Sequence, residues 1–426
     1  MTYRVQQLRA LEILDSRGRP TLQVTVALGD GSVGTAGVPS GASTGAGEAV
    51  ELRDGDPARY AGRGVSRAVR NVTGELATAL VGRSWEDLGA LDRAMIDLDG
   101  TPDKSRLGAN AIVGVSMAAA RAMAAADRLP LYRWLPAGDV EARLPVPHFN
   151  VLNGGAHAPN RLEPQEFMIA PLGAGSFAEA LRAGAEIYEA LRKLLADRGL
   201  STGLGDEGGF APELSTPEEV LDLIVTAIGA AGHSAGPDGV AVALDPAASQ
   251  FRVADGRYRW SPDELLSSDE LVDHYAGLVE RYPIWSIEDG LAEDDWAGWE
   301  LLTARIGDKV RLVGDDIFVT NPKVIADAMT RRVGNSALIK LNQIGTVSET
   351  LEAMAVCRSG GYGQMVSHRS GETNDAWIAD LAVATGCGLI KSGAPARGER
   401  VAKYNRLLEI AAELPDAPYG PPATGA

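Results

Sequence analysis

Between residues 166 and 390 seven short apolar runs recur, at 166–170, 240–244, 284–287, 310–313, 337–339, 364–366 and 388–390, with helix-spaced stretches between them. Strands that alternate with helices build a parallel sheet, because a parallel neighbour requires a crossover connection. This many units in about 290 residues favours a closed α/β barrel over an open sheet. What ends the runs constrains the chain further. Val-Ala-Leu ends in Asp245, Trp-Ser-Ile in Glu288, Leu-Val-Gly in Asp315, Leu-Ile in Lys340, Met-Val-Ser in His368, and a second Leu-Ile in Lys391. The carboxyl ends of barrel strands surround a single mouth, so these six side chains are expected to share one cavity.

The N-terminal third reads differently. Residues 21–28 alternate apolar and polar, Gly29-Asp30-Gly31 supplies turn chemistry, and a second short strand follows, which predicts a hairpin. Helical spacing runs from about residue 66 to 128, and its Ala-rich part, 109–126, has the few charges of a buried helix. Pro130, Pro136, Gly138, Pro145 and Pro147 punctuate a short interval, which sets a boundary between a first domain, 1–136, and a barrel domain, 137–426. The Pro/Gly/Ala-rich tail, 414–426, is expected to be loose.

Composition narrows the partners. With 40 Lys plus Arg against 57 Asp plus Glu the net charge is −17, and no basic block is present. That balance argues against nucleic acid and against anionic membrane surfaces. The start, MTYRVQQLRA, has no apolar leader core, and no uncharged apolar run reaches the roughly 18 residues of a membrane span, so a cytoplasmic protein is expected. Cys357 and Cys387 are 30 residues apart, which fits neither a redox pair nor a zinc knuckle, and they read as small buried hydrophobes. Two G-x-G-x-x-G matches, at 29–34 and 203–208, are set aside: the first lies in the hairpin, and the second carries Asp206 and Glu207 where a pyrophosphate would sit. No Walker-type G-x-x-x-x-G-K-[ST] occurs.

Asp245, Glu288 and Asp315 offer three hard oxygen donors from consecutive strands, which suits Mg²⁺ better than Zn²⁺. Each alone reads equally as a turn or loop acid; the set argues for a cation. Lys340 and Lys391 emerge from apolar runs, where burial and like charge would lower an ammonium toward the range of a general base; the plain alternative is a strand-end lysine that snorkels to solvent. Ser367, His368, Arg369 and Ser370 place a guanidinium and hydroxyls where an anionic group could dock, although such loop residues also cap helices. Glu207 and His157 lie in Gly-rich loops, Glu166 opens an apolar run, and the small-residue loop 38–45 of the first domain is suited to close over the mouth.

The whole set resembles the enolase family. LDSRGRPT, VPSGASTG, EAVELRDGD, GANAIVGVS, NVLNGGAHA, QEFMIAP, GDEGGFAP, SIEDGLAEDDW, LVGDDIFVTN, IKLNQIGT, SHRSGETND and IKSGAPARGERVAKYN follow one another nearly end to end. The resemblance implies an α+β cap domain on an atypical (β/α)8 TIM-like barrel, and dehydration of 2-phospho-D-glycerate to phosphoenolpyruvate with two Mg²⁺ per site. A lysine base working with Mg²⁺ is the established pattern of that superfamily. Carried over by motif, Asp245, Glu288 and Asp315 would hold the tight Mg²⁺, and Ser40 in the lid the second. Lys340 would be the C2 base and proton-bearing Glu207 the acid, with Glu166 beside it. His157 and His368 would close on the substrate, Arg369 and Ser370, with Ser367 adjacent, would bind its phosphate, and Lys391 its carboxylate. Arg19, Pro164 and Asn374 depart from the usual pattern. Two rivals are a paralogue acting on a phosphonate analogue, of the carboxyphosphonoenolpyruvate synthase type, and a non-catalytic binding protein. The complete charged set speaks against lost catalysis, and Ala426 stands where plasminogen-binding relatives have a terminal lysine. A homodimer or an octamer of dimers is expected.

Overall fold

The computed structural model describes residues 2–42, 44–135, 138, 140–158, 160–261 and 263–422. Strands β1 (Tyr3–Leu14), β2 (Pro20–Leu28), β3 (Val33–Gly37) and the short β4 (Ser84–Trp85) form one antiparallel sheet in the order β3-β2-β1-β4. The predicted hairpin is β2–β3. Its turn is held by Gly31 at φ 92° and by the Asp30 carboxylate, which accepts the Ser32 amide at 2.9 Å. Alternation along β2 buries Leu22, Val24, Val26 and Leu28 against the helix Ala109–Ala126. This helix is long and apolar enough to cross a membrane, yet nearly every residue of it is buried in the protein, as its low charge predicted. It approaches β3 so closely that a Cβ on Gly34 would lie 2.1 Å from the Ala118 carbonyl oxygen.

The second unit is a closed eight-stranded barrel. Its strands are β5 (Val146–Asn153), β6 (Glu166–Ala170), β7 (Ala241–Asp245), β10 (Ile284–Glu288), β11 (Arg311–Gly314), β12 (Ser336–Ile339), β13 (Gly363–Ser367) and β14 (Leu389–Lys391); β8 (Tyr258–Ser261) and β9 (Glu264–Leu266) pair beside it. The seven apolar runs match barrel strands within a residue or two, and β5 was not among them. The all-parallel expectation is corrected at two places: β5–β6 and β6–β7 are antiparallel. Among the described residues, the connection from β5 to β6 contains the short turn Gly155–His157 and no crossover helix, so the chain returns against itself. Two helices, Phe177–Asp197 and Pro217–Ala230, then follow in succession and restore the direction of β7. The consequence is positional. The first residue of β6 and the loop between the two helices both arrive at the mouth formed by the carboxyl ends of the other strands.

The tail is not loose where it is described. The Leu144 amide donates to Pro418 O at 2.9 Å, the Gly420 amide to Leu144 O at 2.9 Å, and the Tyr419 hydroxyl to Pro171 O at 2.9 Å, which ties the chain end to the far end of the barrel. The expected domain boundary at 136/137 lies outside the described residues. The two units meet across a polar seam: Ser40 and Gly371 exchange backbone hydrogen bonds at 2.8 and 2.9 Å, Arg121 forks onto Asp375 at 2.7 Å twice, and Lys104 pairs with Glu349 at 3.0 Å.

Candidate active site

At the mouth, register brings three carboxylates together. Glu166 is the ladder partner of Asp245 on one side and of Asn153 on the other, and Glu288 ends the next strand along, β10. Lys391, from the end of β14, reaches all three: its Nζ is 2.7 Å from Asp245 Oδ2, 2.9 Å from Glu288 Oε1 and 3.2 Å from Glu166 Oε2. Burial pulls this ammonium down, but Asp245, Glu166 and Glu288 outweigh it and hold Lys391 well above the ordinary lysine value. Burial, then the charge on Asp245, pushes the Glu288 carboxyl well up. Glu166 is likewise pushed well up, by burial and then by Glu207.

Asp315, from the end of β11, forms an ion pair with Lys340 and accepts Gln343 Nε2 at 2.8 Å. Its backbone is held from below by Asp289, which accepts the amides of Asp315 and Asp316 at 2.9 Å each. Lys340 was expected to carry a lowered pKa. The structure reverses that: burial lowers it, but the adjoining Asp315 raises it above the ordinary value.

The opposite wall carries His157, Glu207, His368 and Ser370. His157 Nδ1 is 3.7 Å from Glu166 Oε1 and its Nε2 is 3.8 Å from Glu207 Oε1, so the ring spans the two carboxylates, while Ser370 Oγ touches Nε2 at 3.3 Å. Glu207 Oε2 lies 3.1 Å from His368 Nε2 and accepts Asn150 Nδ2 at 3.3 Å. Burial pushes the Glu207 carboxyl up, yet the facing His368 and His157 rings and Arg400 hold it well below the usual carboxylate range. Donors surround Glu207 and carboxylates surround Glu166, which shifts the two carboxyls in opposite directions.

Two expected residues are engaged elsewhere. Ser40 Oγ donates to Glu51 Oε2 at 3.1 Å and accepts from Arg53 at 2.8 Å and Arg17 at 3.3 Å, so its hydroxyl is turned into a network of the first domain. Ser43, in the same loop, lies outside the described residues. Arg369 lines the cleft, and its guanidinium forks onto Glu48 of the first domain at 3.0 and 3.1 Å. Ser367 also lines the cleft, with its hydroxyl donating to His368 O at 3.0 Å. The sequence reading missed Glu48, Asp289, Gln343 and Arg400. All four sit inside the quoted motifs, but only tertiary pairing shows what they hold.

Can these residues accept a divalent cation? Asp245, Glu288 and Asp315 come from strands adjacent in the barrel, β7, β10 and β11, and offer oxygen donors only. Glu288 Oε2 is buried with no hydrogen-bond partner. A set of carboxylate oxygen donors fits a hard cation. Among the described residues, the groups of three whose donor atoms lie within 4.8 Å of one another are His157, Glu166 and Glu207, and Asp289, Asp315 and Asp316. Asp315 thus belongs to a group that is already tight, while Asp245 and Glu288 meet on Lys391.

Residues 5–135 match the family described as the enolase N-terminal domain, and residues 141–420 match the enolase C-terminal TIM barrel domain. The chain is 59% identical over 415 residues to the enolase of Rubrobacter xylanophilus, covering 97% of this chain and 96% of that protein. With both domains matched in order, and a near full-length relative at that identity, the chain belongs to the enolase family, the phosphopyruvate hydratases.

Proposed function

We propose how this chain carries out the dehydration of 2-phospho-D-glycerate to phosphoenolpyruvate, the glycolytic and gluconeogenic reaction of its family. The observation that carries the reading is an opposition. In the ring β10-β11-β12-β13-β14-β5-β6-β7, the strand leading to Lys340 and the strand beginning at Glu166 are four steps apart either way round, so the base and the Glu166–Glu207 pair face each other across the mouth. Elimination needs a proton removed at C2 and hydroxide lost at C3, and opposite walls let the two departures occur from opposite faces of the substrate.

Lys340 takes the C2 proton on its Nζ once Asp315 no longer claims that ammonium, since a lysine can act as base only in the neutral form. Two Mg²⁺, held by Asp245, Glu288 and Asp315 and by the lid together with the substrate, would supply positive charge to the carboxylate as its C2 proton leaves. Lys391 places a fixed ammonium where that carboxylate docks, and a fixed charge in a buried site needs no reorganisation during the reaction. Glu207 is the acid that assists hydroxide loss, with Glu166 beside it, and His157 bridges the two. Arg369 and Ser370 receive the phosphate. The protein works in the cytoplasm on a small phosphorylated carboxylate.

The test is side-by-side turnover of 2-phosphoglycerate and of a phosphonate analogue, with and without Mg²⁺, followed by the absorbance of phosphoenolpyruvate. Mg²⁺-dependent turnover confined to the phosphoglycerate supports the reading. Preference for the phosphonate overturns the substrate, and turnover in chelator overturns the metal requirement.

A further inference from the structure

Gln343 lies in the short helix Leu341–Ile344 directly after Lys340, and only 1% of it is exposed. Its side-chain amide meets two carboxylates and one hydroxyl. Nε2 donates to Asp315 Oδ1 at 2.8 Å and to Glu48 Oε1 at 3.3 Å, while Oε1 accepts the Thr320 hydroxyl at 2.7 Å. Asp315 belongs to the barrel and Glu48 to the first domain, so one amide joins the two units inside the mouth.

That amide can point only one way. Asp315 is paired with Lys340 and Glu48 with Arg369, so both carboxylates are ionised and only accept. Turning the amide over would set its oxygen against both of them. The other end is fixed independently. The Lys340 backbone amide donates to Thr320 Oγ1 at 2.9 Å, which leaves the hydroxyl proton for Gln343 Oε1. Thr320 itself stands at φ 56°, after Val319 at φ 44°, in the left-handed region that β-branched residues rarely adopt. The turn that imposes this begins on Asp315, whose carbonyl accepts the Phe318 and Val319 amides at 3.1 and 2.8 Å. Such a conformation persists only where the surroundings over-determine it.

The two oxygens of Asp315 are thereby made unequal. Oδ1 belongs to Gln343, and Oδ2 faces the Lys340 ammonium. We propose that Gln343 is a positioning residue, which by holding Oδ1 makes Asp315 a one-oxygen ligand and presents Oδ2 to the cation. The proposal rests on the assignment of Asp315 as a metal ligand. Gln343 supplies no ligand atom itself, since Nε2 is turned toward the carboxylates and Oε1 away from them to Thr320. A neutral donor suits this place: a lysine or arginine would cancel negative charge that attracts the cation, and a third carboxylate would repel the other two.

Calorimetric titration of the full-length protein with Mg²⁺, in the absence of substrate, reads the effect. Gln343→Met keeps the length and removes the donor, and it is expected to weaken Mg²⁺ binding about 10- to 100-fold, the loss typical when a hydrogen bond to a metal ligand is removed. A purely structural role would lower the thermal midpoint of the metal-free protein and leave the dissociation constant within about threefold of wild type, and that result overturns the proposal. A crystal structure of the wild type grown with Mg²⁺ tests it without any variant. Asp315 is expected to coordinate through Oδ2 alone, with Gln343 still on Oδ1; coordination through Oδ1, or through both oxygens, overturns it. Asp315→Asn separates the inference from the reading beneath it, and its Mg²⁺ binding is expected to be lost. Binding at wild-type strength in that variant removes Asp315 from the ligand set, whereas loss there with none in Gln343→Met removes only the role given to Gln343.

Discussion

Lys391→Met separates the electrostatic account of the cleft from a purely catalytic one. In the wild type the Lys391 ammonium contacts three carboxylates at 2.7, 2.9 and 3.2 Å, and none of the four side chains is more than 5% exposed. Methionine keeps most of the volume and removes the charge, leaving Asp245, Glu288 and Glu166 facing one another in a buried space. Breaking a buried ion pair on one side costs about 3–5 kcal/mol. The loss should depend on pH with a definite sign. Glu288 and Glu166 already have raised folded-state values, so between the ordinary glutamate value and those raised values the native state binds protons that the unfolded chain does not. Stability relative to wild type is therefore lowest at high pH and recovers as pH falls through the raised values. Urea unfolding in chelator at pH 8 and pH 5.5, followed by tryptophan fluorescence, measures this. The expected result is a deficit of about 3–5 kcal/mol at pH 8 that narrows at pH 5.5, and that Mg²⁺ reduces at pH 8. A variant within about 1 kcal/mol of wild type at pH 8, or a deficit that does not change with pH, refutes the reasoning.

Lys340→Ala should lower phosphoenolpyruvate formation by about 10³-fold or more with circular dichroism unchanged, and normal turnover would remove Lys340 from the role of base. Asp92, on the seam between the domains, is fully buried, accepts Ser348 Oγ at 2.6 Å, and is pushed up to about 6 chiefly by burial. Its folded value exceeds the ordinary one, so thermal stability should decline as pH rises from about 4 to 6, and Asp92→Asn should flatten that decline; a wild-type melting temperature independent of pH in that window contradicts this. Gly34→Ala should cost about 1–3 kcal/mol or more in urea unfolding, because the new methyl meets helix backbone that cannot swing aside; an unchanged midpoint would mean the helix can shift.

The strands were legible because apolar runs bounded by charge survive in one dimension. β5 was not: Pro145 and Pro147 read as punctuation, whereas Pro147 is the second residue of a strand whose start tolerates a missing amide. The strand-end charges were legible for the same reason the strands were. What those charges do to one another was not. Lys340 and Glu207 have shifts opposite to those expected, because Asp315, His368 and Arg400, which set them, come from other elements, the nearest 25 residues away in sequence. The direction of β6 was equally hidden, since a missing crossover helix shows only as a loop. The described end of the tail looked loose by composition and is fixed by Leu144, a contact no local pattern encodes.

The inverted strand also acts as a ruler. Glu166 is gripped on both flanks by antiparallel ladders, opposite Asn153 on one side and Asp245 on the other. Sliding β6 by a single residue would present Gln165 or Phe167 at the rim and turn the Glu166 carboxyl outward, so the spacing between the Glu166 and Asp245 carboxyls is written in main-chain pairing and survives side-chain motion.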